Sequence, residues 1–190
     1  MKSKLLFILI FTIIPTKMVM SEEDPPIIFE GNIGLSICKE YCFEHNHIPS
    51  FEISAFIDRT NLILKELKYS SGIKDFLEKI NYYNNIGPIF IYRVIPLEYE
   101  YLNIFSWGVE RREGIKIDHL MIFISLGLGN SITKLQSNVS SISRYGPFLP
   151  LGFGMSYDVN KNISIGGKIR YDISHYFSGW LSSVSFSYRL

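Results

Sequence analysis

The sequence contains no uninterrupted apolar stretch long enough to form a transmembrane helix, although 47% of its 190 residues are hydrophobic. A helix that spans a bilayer needs about 20 consecutive apolar residues. The apolar run Leu5 to Ile14 near the start of the chain is only half that long. If this chain enters a membrane, it must do so as a closed β-barrel, because an open sheet edge in lipid leaves backbone groups unpaired.

The sequence also lacks an excess of charge of one sign, contains few cysteines and has no visible repeat. The 19 basic and 18 acidic residues give a formal net charge of +1, and the sequence has no basic run. We therefore expect no nucleic-acid partner. Two cysteines are too few for a disulfide-rich scaffold. No internal repeat is visible, and the length fits one domain.

The first 21 residues have the organisation of a secretory signal peptide. Lys2 and Lys4 supply the positive start, Leu5 to Ile14 the apolar region, and residues 15–21 a polar end with cleavage expected after Ser21. This removes three of the 19 basic residues and leaves 16 against 18 acidic ones, a charge of about −2. We expect an exported chain with one domain, residues 22–190.

What the sequence does contain is strict alternation of apolar and polar residues in its last third. The segments Pro147 to Asp158, Asn162 to Ser174 and Trp180 to Leu190 each place one apolar face against one small or polar face. Side chains on a strand alternate between its faces, so each segment predicts a half-apolar strand. A soluble β-sandwich would also alternate. Three features favour a membrane barrel: strands of about a dozen residues, aromatic residues near the strand ends, and Lys168, Arg170 and Arg189 on the polar face.

The same alternation predicts earlier strands at Phe29 to Cys38, Phe51 to Asp58, Leu97 to Glu110 and Lys116 to Gly129. Residues 58–95 are open to both a strand and a helix interpretation. We favour a turn at residues 58–61, a strand from Leu62 to Tyr69 and a loop with a short helix within 71–85, and Ile86 to Ile95 is a further candidate strand. Counting both candidate strands gives nine and counting one gives eight, and single-chain bacterial barrels have even numbers. Arg111 to Gly114 is interpreted as a charged turn, Asn130 to Gly146 as a surface loop and Asn160-Lys161 as a tight turn. The prediction is an all-β, antiparallel, up-and-down transmembrane β-barrel of eight strands, with ten as the alternative.

Charged residues on the polar faces form the main candidate site. The set consists of Glu98, Glu100, Glu110, Lys168, Arg170 and Arg189. An eight-stranded barrel has an interior just wide enough for side chains to fill it. We therefore expect these charges to pair across the lumen as a plug. A narrow small-solute channel is the alternative.

Two cysteines and two histidines follow one another after the first strand. Cys38 and Cys42, with His45 and His47, do not have the spacing of structural zinc sites. In an exported protein a disulfide between Cys38 and Cys42 is the preferred interpretation, with free thiols as the alternative. We expect no metal and no cofactor.

The C-terminal third resembles a known family. The run GPFLPLGFGMSYDVNKNISIGGKIRYDIS, followed by WLSSVSFSYRL, is similar to the small outer-membrane β-barrels that include the outer-membrane protein A transmembrane domain and the opacity proteins. The resemblance covers about residues 114–190, and the chain ends on Leu190 where family members commonly end on Phe or Trp. It implies a monomer in the outer membrane of a Gram-negative-type bacterium, in contact with lipid, lipopolysaccharide and the barrel-assembly machinery. Members differ widely in function, so the fold alone assigns none.

One pair of residues could indicate an enzyme. Some outer-membrane barrels are lipid A deacylases with a His and a Ser facing lipid, and here His175 and Ser178 are the candidates. Asp172 is the last acidic residue, so the sequence has no later acid to orient the histidine. We favour a structural or surface-interaction role with exposed loops over a lipid A-modifying enzyme or a channel.

Overall fold

The computed structural model describes residues 25–38, 48–67, 71–96, 101–136, 141–174 and 178–190. They form a closed barrel of eight antiparallel strands in the order of the chain. The strands are β1 (Ile27–Cys38), β2 (Ile48–Asp58), β3 (Tyr82–Pro96), β4 (Tyr101–Ile117), β5 (Leu120–Gln136), β6 (Ser141–Asp158), β7 (Ile163–Ser174) and β8 (Ser178–Arg189). Two helices, α1 (Thr60–Glu66) and α2 (Ser71–Lys79), connect β2 to β3. The prediction of an eight-stranded, up-and-down barrel is confirmed. No helix in these residues is long and apolar enough to cross a membrane.

The barrel is polar inside and apolar outside. Ile33, Ile53, Leu128 and Val184 are 66–70% exposed on the outer wall, while polar residues of the same strands are buried. This inverts the usual distribution in a water-soluble protein. It is the arrangement of an outer-membrane barrel, whose outward face meets lipid.

The barrel has two different ends. At the first, the turn end, β4 and β5 are joined at Asp118-His119, and residues 159–162 join β6 and β7. Asp118 has φ 52°, a left-handed conformation that Asp tolerates in turns. The predicted turn at Asn160 is confirmed, with Asn160 Oδ1 accepting from the backbone N–H of Ile163 at 2.9 Å. The connections at the opposite end, the far end, lie outside the described residues.

Several expectations for the middle of the chain were wrong. The segment that begins at Leu62 forms helix α1 rather than a strand, because Ile63 packs against Leu77 and Tyr82. The expected charged turn at Arg111 to Gly114 lies inside β4, where Arg112 pairs with Ser125 of β5. The expected surface loop at residues 130–146 consists largely of paired strand, with Asn130 opposite Pro147.

Two prolines interrupt the barrel wall without opening it. The β2–β3 pairing is continuous down to Ser54–Ile89 and resumes at Ile57–Ile86, on either side of Pro88. The β5–β6 pairing likewise breaks between Leu126–Leu151 and Gly129–Phe148, beside Pro150. Proline has no backbone N–H to donate to a neighbouring strand, which accounts for both gaps.

Candidate functional site: the charged lumen

The middle of the lumen contains eight charged side chains from five strands. We call them the lumen network: Glu30 of β1, Glu52 of β2, Arg93 of β3, Glu110 and Arg112 of β4, and Lys168, Arg170 and Asp172 of β7. Residues two apart on a strand share a face, so Glu110 and Arg112 point inward together, as do the three from β7. All eight are at most 6% exposed.

Arg112 anchors the half of the network nearer the turn end. Its Nη1 and Nη2 atoms each donate to a different oxygen of Glu30, both at 2.7 Å. Its Nε atom donates to Glu110 Oε1, also at 2.7 Å. The guanidinium lies over the Phe56 ring, 3.9 Å from its centroid. Such two-pronged pairing of a guanidinium with a carboxylate fixes both geometry and charge.

Arg170 anchors the other half. Its Nε and Nη2 atoms donate to the two oxygens of Asp172 at 2.7 and 3.2 Å. Its Nη1 atom donates to Glu52 Oε2 at 2.6 Å and reaches Glu110 Oε2 at 3.5 Å. Because Glu110 contacts both Arg112 and Arg170, it links the two halves into one network.

The remaining two cations complete the charge pairing. Lys168 Nζ is bonded to Glu52 and lies 3.7 Å from Glu30 Oε1. Arg93 is ion-paired with Asp172, and its Nε donates to Ser36 Oγ at 3.1 Å. Four carboxylates thus face four cations, and each ion has at least one partner of opposite charge. This balance matters because an unpaired charge in a closed interior is far more costly than a paired one.

Apolar side chains close the lumen on both sides of the network. Toward the turn end the lumen contains Ile28, Phe56, Tyr83, Met121 and Phe123. Toward the far end it contains Ile48, Ile95, Ile104 and Leu181, each at most 2% exposed. The cavity beside Glu30 and Arg112 has a volume of about 20 Å³, room for about one water molecule. The lumen is filled by side chains, as the width of an eight-stranded barrel requires.

The structure brings together only part of the predicted charge set. Glu110, Lys168 and Arg170 meet in the lumen network. Arg189 lines the small cavity instead and forms no ion pair within the part of the chain that the structure describes. Glu98 and Glu100 lie outside the described residues.

The predicted set lacks five members of the network, Glu30, Glu52, Arg93, Arg112 and Asp172, although alternation already placed Asp172 on the same face as Lys168 and Arg170. A signal for the first two was present, since each stands between outward apolar residues and must face the lumen by alternation. Arg93 was hidden in a segment interpreted as a short apolar strand. Arg112 was hidden in the supposed turn.

The other predicted site residues do not assemble into a second centre. Ser178 lies on the outward-facing side of β8, while Asp172 is buried in the lumen on the opposite side of the wall. His175, Cys42, His45 and His47 lie outside the described residues. Cys38 is the last residue of β1, and its disulfide to Cys42 stays a prediction. No cluster of potential metal ligands occurs among the described residues.

No protein-family model and no curated protein sequence matches the chain. Solved structures do resemble its fold. Ail, the attachment invasion locus protein of Yersinia pestis, is 14% identical with a TM-score of 0.59, covering 88% of this chain and 100% of that one. Neisserial surface protein A is 8% identical with a TM-score of 0.57, covering 87% and 96%. The N-terminal β-barrel domain of Pseudomonas aeruginosa OprF is 10% identical with a TM-score of 0.53, covering 88% and 98%. The chain thus has the fold of small outer-membrane β-barrels.

Proposed function

We propose that this protein is a small outer-membrane barrel with a structural or surface-interaction role, exported through a cleaved signal peptide. The observation that supports this most strongly is the closed lumen. An interior filled by balanced charges and sealed by apolar layers leaves no path for a solute. Contacts with other molecules therefore belong to the outer wall and the two ends of the barrel. Outer-membrane lipid and lipopolysaccharide are the expected neighbours of a monomer inserted by the barrel-assembly machinery.

A sheet that projects at the far end is the surface best suited to such contacts. Residues 141–147 of β6 pair with residues 130–136 of β5, whereas the pairing of β6 with β7 begins only at Phe148. Residues 101–107 of β4 flank the same part of β5. We call these three segments the projecting sheet. Tyr101 and Tyr145 on it are 58% and 71% exposed, and tyrosine is a common anchor residue in protein interfaces.

The first experiment tests location and orientation. In a variant in which Cys38 and Cys42 are replaced by Ser, Tyr145→Cys and Asn160→Cys place single thiols at opposite ends of the barrel. Barrels of this kind have short periplasmic turns and longer extracellular connections, so we expect the turn end in the periplasm and the far end outside the cell. A membrane-impermeant maleimide should then label position 145 in intact cells and position 160 only after the outer membrane is permeabilised. Recovery of the mature protein as a soluble periplasmic monomer would contradict the proposal.

The second experiment tests the role of the projecting sheet. Ail has also been solved in complex with the heparin analogue sucrose octasulfate, and that structure has a TM-score of 0.59 to this chain. Heparin is therefore a reasonable first probe. Cells carrying the protein should be retained on a heparin-coated surface, and Tyr101→Ser with Tyr145→Ser should reduce retention. The matched control is Val159→Ser, at an exposed position of the turn end. Equal retention of cells with and without the protein would remove the support for heparin as its ligand.

The alternative of a lipid A-modifying enzyme has one observation in its favour. A groove of about 620 Å³ on the outer wall is lined by Leu151, Phe153, Ile169, Tyr171 and Trp180, side chains suited to a lipid chain. Trp180 is two residues from Ser178 and on the same face of β8. Lipid A mass spectrometry distinguishes the two functions. A mass change that depends on the protein and disappears in Ser178→Ala would establish the enzyme.

The channel alternative is tested by conductance. The purified protein in a planar bilayer should show no steady current, because the lumen network and both apolar layers block the axis of the barrel. Steady conduction whose ion selectivity changes in Arg170→Ala would identify the lumen as a pore.

A further inference from the structure

Four polar side chains near the turn end lie on the outer wall of the barrel rather than in the lumen. Alternation places Tyr82 and Asn84 of β3, and Arg111 and Glu113 of β4, on the outward face, since Tyr83 and Arg112 point inward. We call these four the outer polar cluster. Outward residues elsewhere on the described strands are exposed or partly exposed, yet Tyr82 is 8%, Asn84 1% and Glu113 3% exposed. Something other than the barrel wall covers them.

The cluster is internally bonded. Asn84 Nδ2 donates to Glu113 Oε1 at 3.2 Å and to Tyr82 Oη at 3.4 Å. Arg111 forms an ion pair with Glu113. Hydrogen-bonded ions of this kind would be costly in direct contact with lipid chains. The outer wall at this point therefore needs a cover that excludes lipid.

Helices α1 and α2, the helical hairpin, provide that cover. Ile63 of α1 and Leu77 of α2 pack against Tyr82, with exposures of 1% and 4%. The start of α1 is bonded to β3 at the level of the cluster: Arg59 N–H donates to the Asn84 carbonyl at 2.8 Å, and Asn84 N–H donates to Thr60 Oγ1 at 2.9 Å. These bonds hold the hairpin against β3.

Helix α2 has an apolar stripe that the barrel only partly covers. Ile73, Phe76, Leu77 and Ile80 recur at helical spacing, and the opposite face has Lys74, Asp75, Glu78 and Lys79. Leu77 and Ile80 pack toward α1 and β3. Ile73 and Phe76 remain 43% and 54% exposed. The outward faces of β3 and β4 above the cluster continue into exposed Phe90 and Val109, part of the apolar band. The helical hairpin thus lies against a wall whose outward face continues into the apolar band, and Ile73 and Phe76 are exposed apolar side chains on that hairpin.

We propose that α2 is an interfacial helix that lies on the phospholipid surface at the turn end, with Ile73 and Phe76 among the acyl chains and its charged face in water. An amphipathic helix of low net hydrophobicity with a strongly charged polar face suits this position, and here that face has two basic and two acidic residues. In this arrangement the helical hairpin separates the outer polar cluster from lipid. The inference rests on the proposed membrane residence of the barrel, and its test distinguishes the two.

The test uses single thiols labelled with an environment-sensitive fluorophore in the variant in which Cys38 and Cys42 are replaced by Ser. Phe76→Cys reports the apolar stripe, and Glu78→Cys is the matched control on the polar face of the same helix. Ile165→Cys, on the exposed outer wall, reports insertion of the barrel. Each protein is refolded into phosphatidylcholine vesicles with and without brominated acyl chains. Probes at positions 76 and 165 should lose emission to the brominated lipid and shift to shorter wavelength, while position 78 should do neither.

Each outcome bears on a different statement. Quenching at 165 with none at 76 would overturn the interfacial helix and leave the membrane barrel intact. No quenching at 165 would overturn membrane residence, and the inference with it. Efficient disulfide crosslinking of Phe76→Cys between two molecules, without quenching, would show that a second copy covers the stripe and would also overturn the inference.

Discussion

Four consecutive charged residues of β4 form two pairs, one on the lumen side of the barrel wall and one on its outer side. Glu110 and Arg112 point into the lumen, where Arg112 is bonded to Glu110 and Glu30. Arg111 and Glu113 point outward and pair with each other. The inner pair is enclosed by the barrel itself, whereas the outer pair is enclosed by the helical hairpin. The comparison shows that a charged pair can stand on either face of a membrane strand if another part of the chain covers it.

Removing a charge from the inner pair should lower the free energy of unfolding the most. Arg112→Ala leaves Glu30 and Glu110 without their main partner in a closed interior, and breaking a buried ion pair in this way costs about 3–5 kcal/mol. The free energy of unfolding, measured by urea titration in vesicles with the heat-modifiable shift on gels as readout, should fall by this amount. Adding Glu30→Gln should restore part of the loss, which a double-mutant cycle measures. Additive losses would show that the two side chains act independently.

A charge on the outer wall without a cover should cost slightly less. Val109 is two residues from Arg111 on the same face of β4 and is 51% exposed. Val109→Arg should lower the free energy of unfolding in vesicles by about 2–4 kcal/mol, the cost of an arginine on the lipid face near the midplane. Val109→Leu, the matched control, should have little effect. If Val109→Arg were as stable as Val109→Leu, the outward face of β4 would not meet lipid.

Removing a charge from the outer pair, which the helical hairpin covers, should give the third-largest loss of stability. Glu113→Gln removes the charge that Arg111 pairs with but retains an acceptor for Asn84, so the expected loss is about 1–3 kcal/mol. The same urea titration measures it, and hydrogen exchange at residues 60–66 should increase because the polar cluster holds the hairpin. If Glu113→Gln cost as much as Arg112→Ala, the hairpin would isolate its charges from water as completely as the lumen does.

Alternation predicted the barrel because each strand has one face in lipid and one face against other side chains, whereas the choice of eight strands also needed the rule that single-chain barrels have even numbers. That pattern is local, so it can be read residue by residue along β1, β6, β7 and β8. The charge partners were harder to predict because they come from strands far apart in sequence, such as Glu30 and Arg112. Which strands face each other across the lumen depends on the register of the whole closed sheet, which one sequence does not fix.

The wrong prediction of a turn around Arg111 has a different physical cause. Four adjacent charges in an otherwise apolar pattern are typical of a turn, since an outward charge on a membrane strand has no counterpart in lipid. The sequence would support a strand only if the hairpin over Tyr82 and Glu113 were already known. That hairpin begins in a segment whose apolar residues Leu62, Ile63 and Leu64 are also compatible with a strand. The two errors therefore have one cause, the contact between α1 and the outer wall.

The smallest effect should come from a third environment, the solvent-facing side of α2. Lys74 and Glu78 form an i,i+4 pair with Nζ 3.5 Å from Oε1, and their side chains are 37% and 49% exposed. In water such a pair stabilises a helix by only about 0.3–0.5 kcal/mol, and salt screens it. Glu78→Gln should therefore change the free energy of unfolding by no more than this amount at low salt and by nothing measurable at high salt. Glu113→Gln is the matched comparison, because the same change is made at a covered position and its effect should persist in high salt. Should Glu78→Gln prove as destabilising as Glu113→Gln, the polar face of α2 would have to be buried in the membrane-bound protein, and the assignment of that face to water would be wrong.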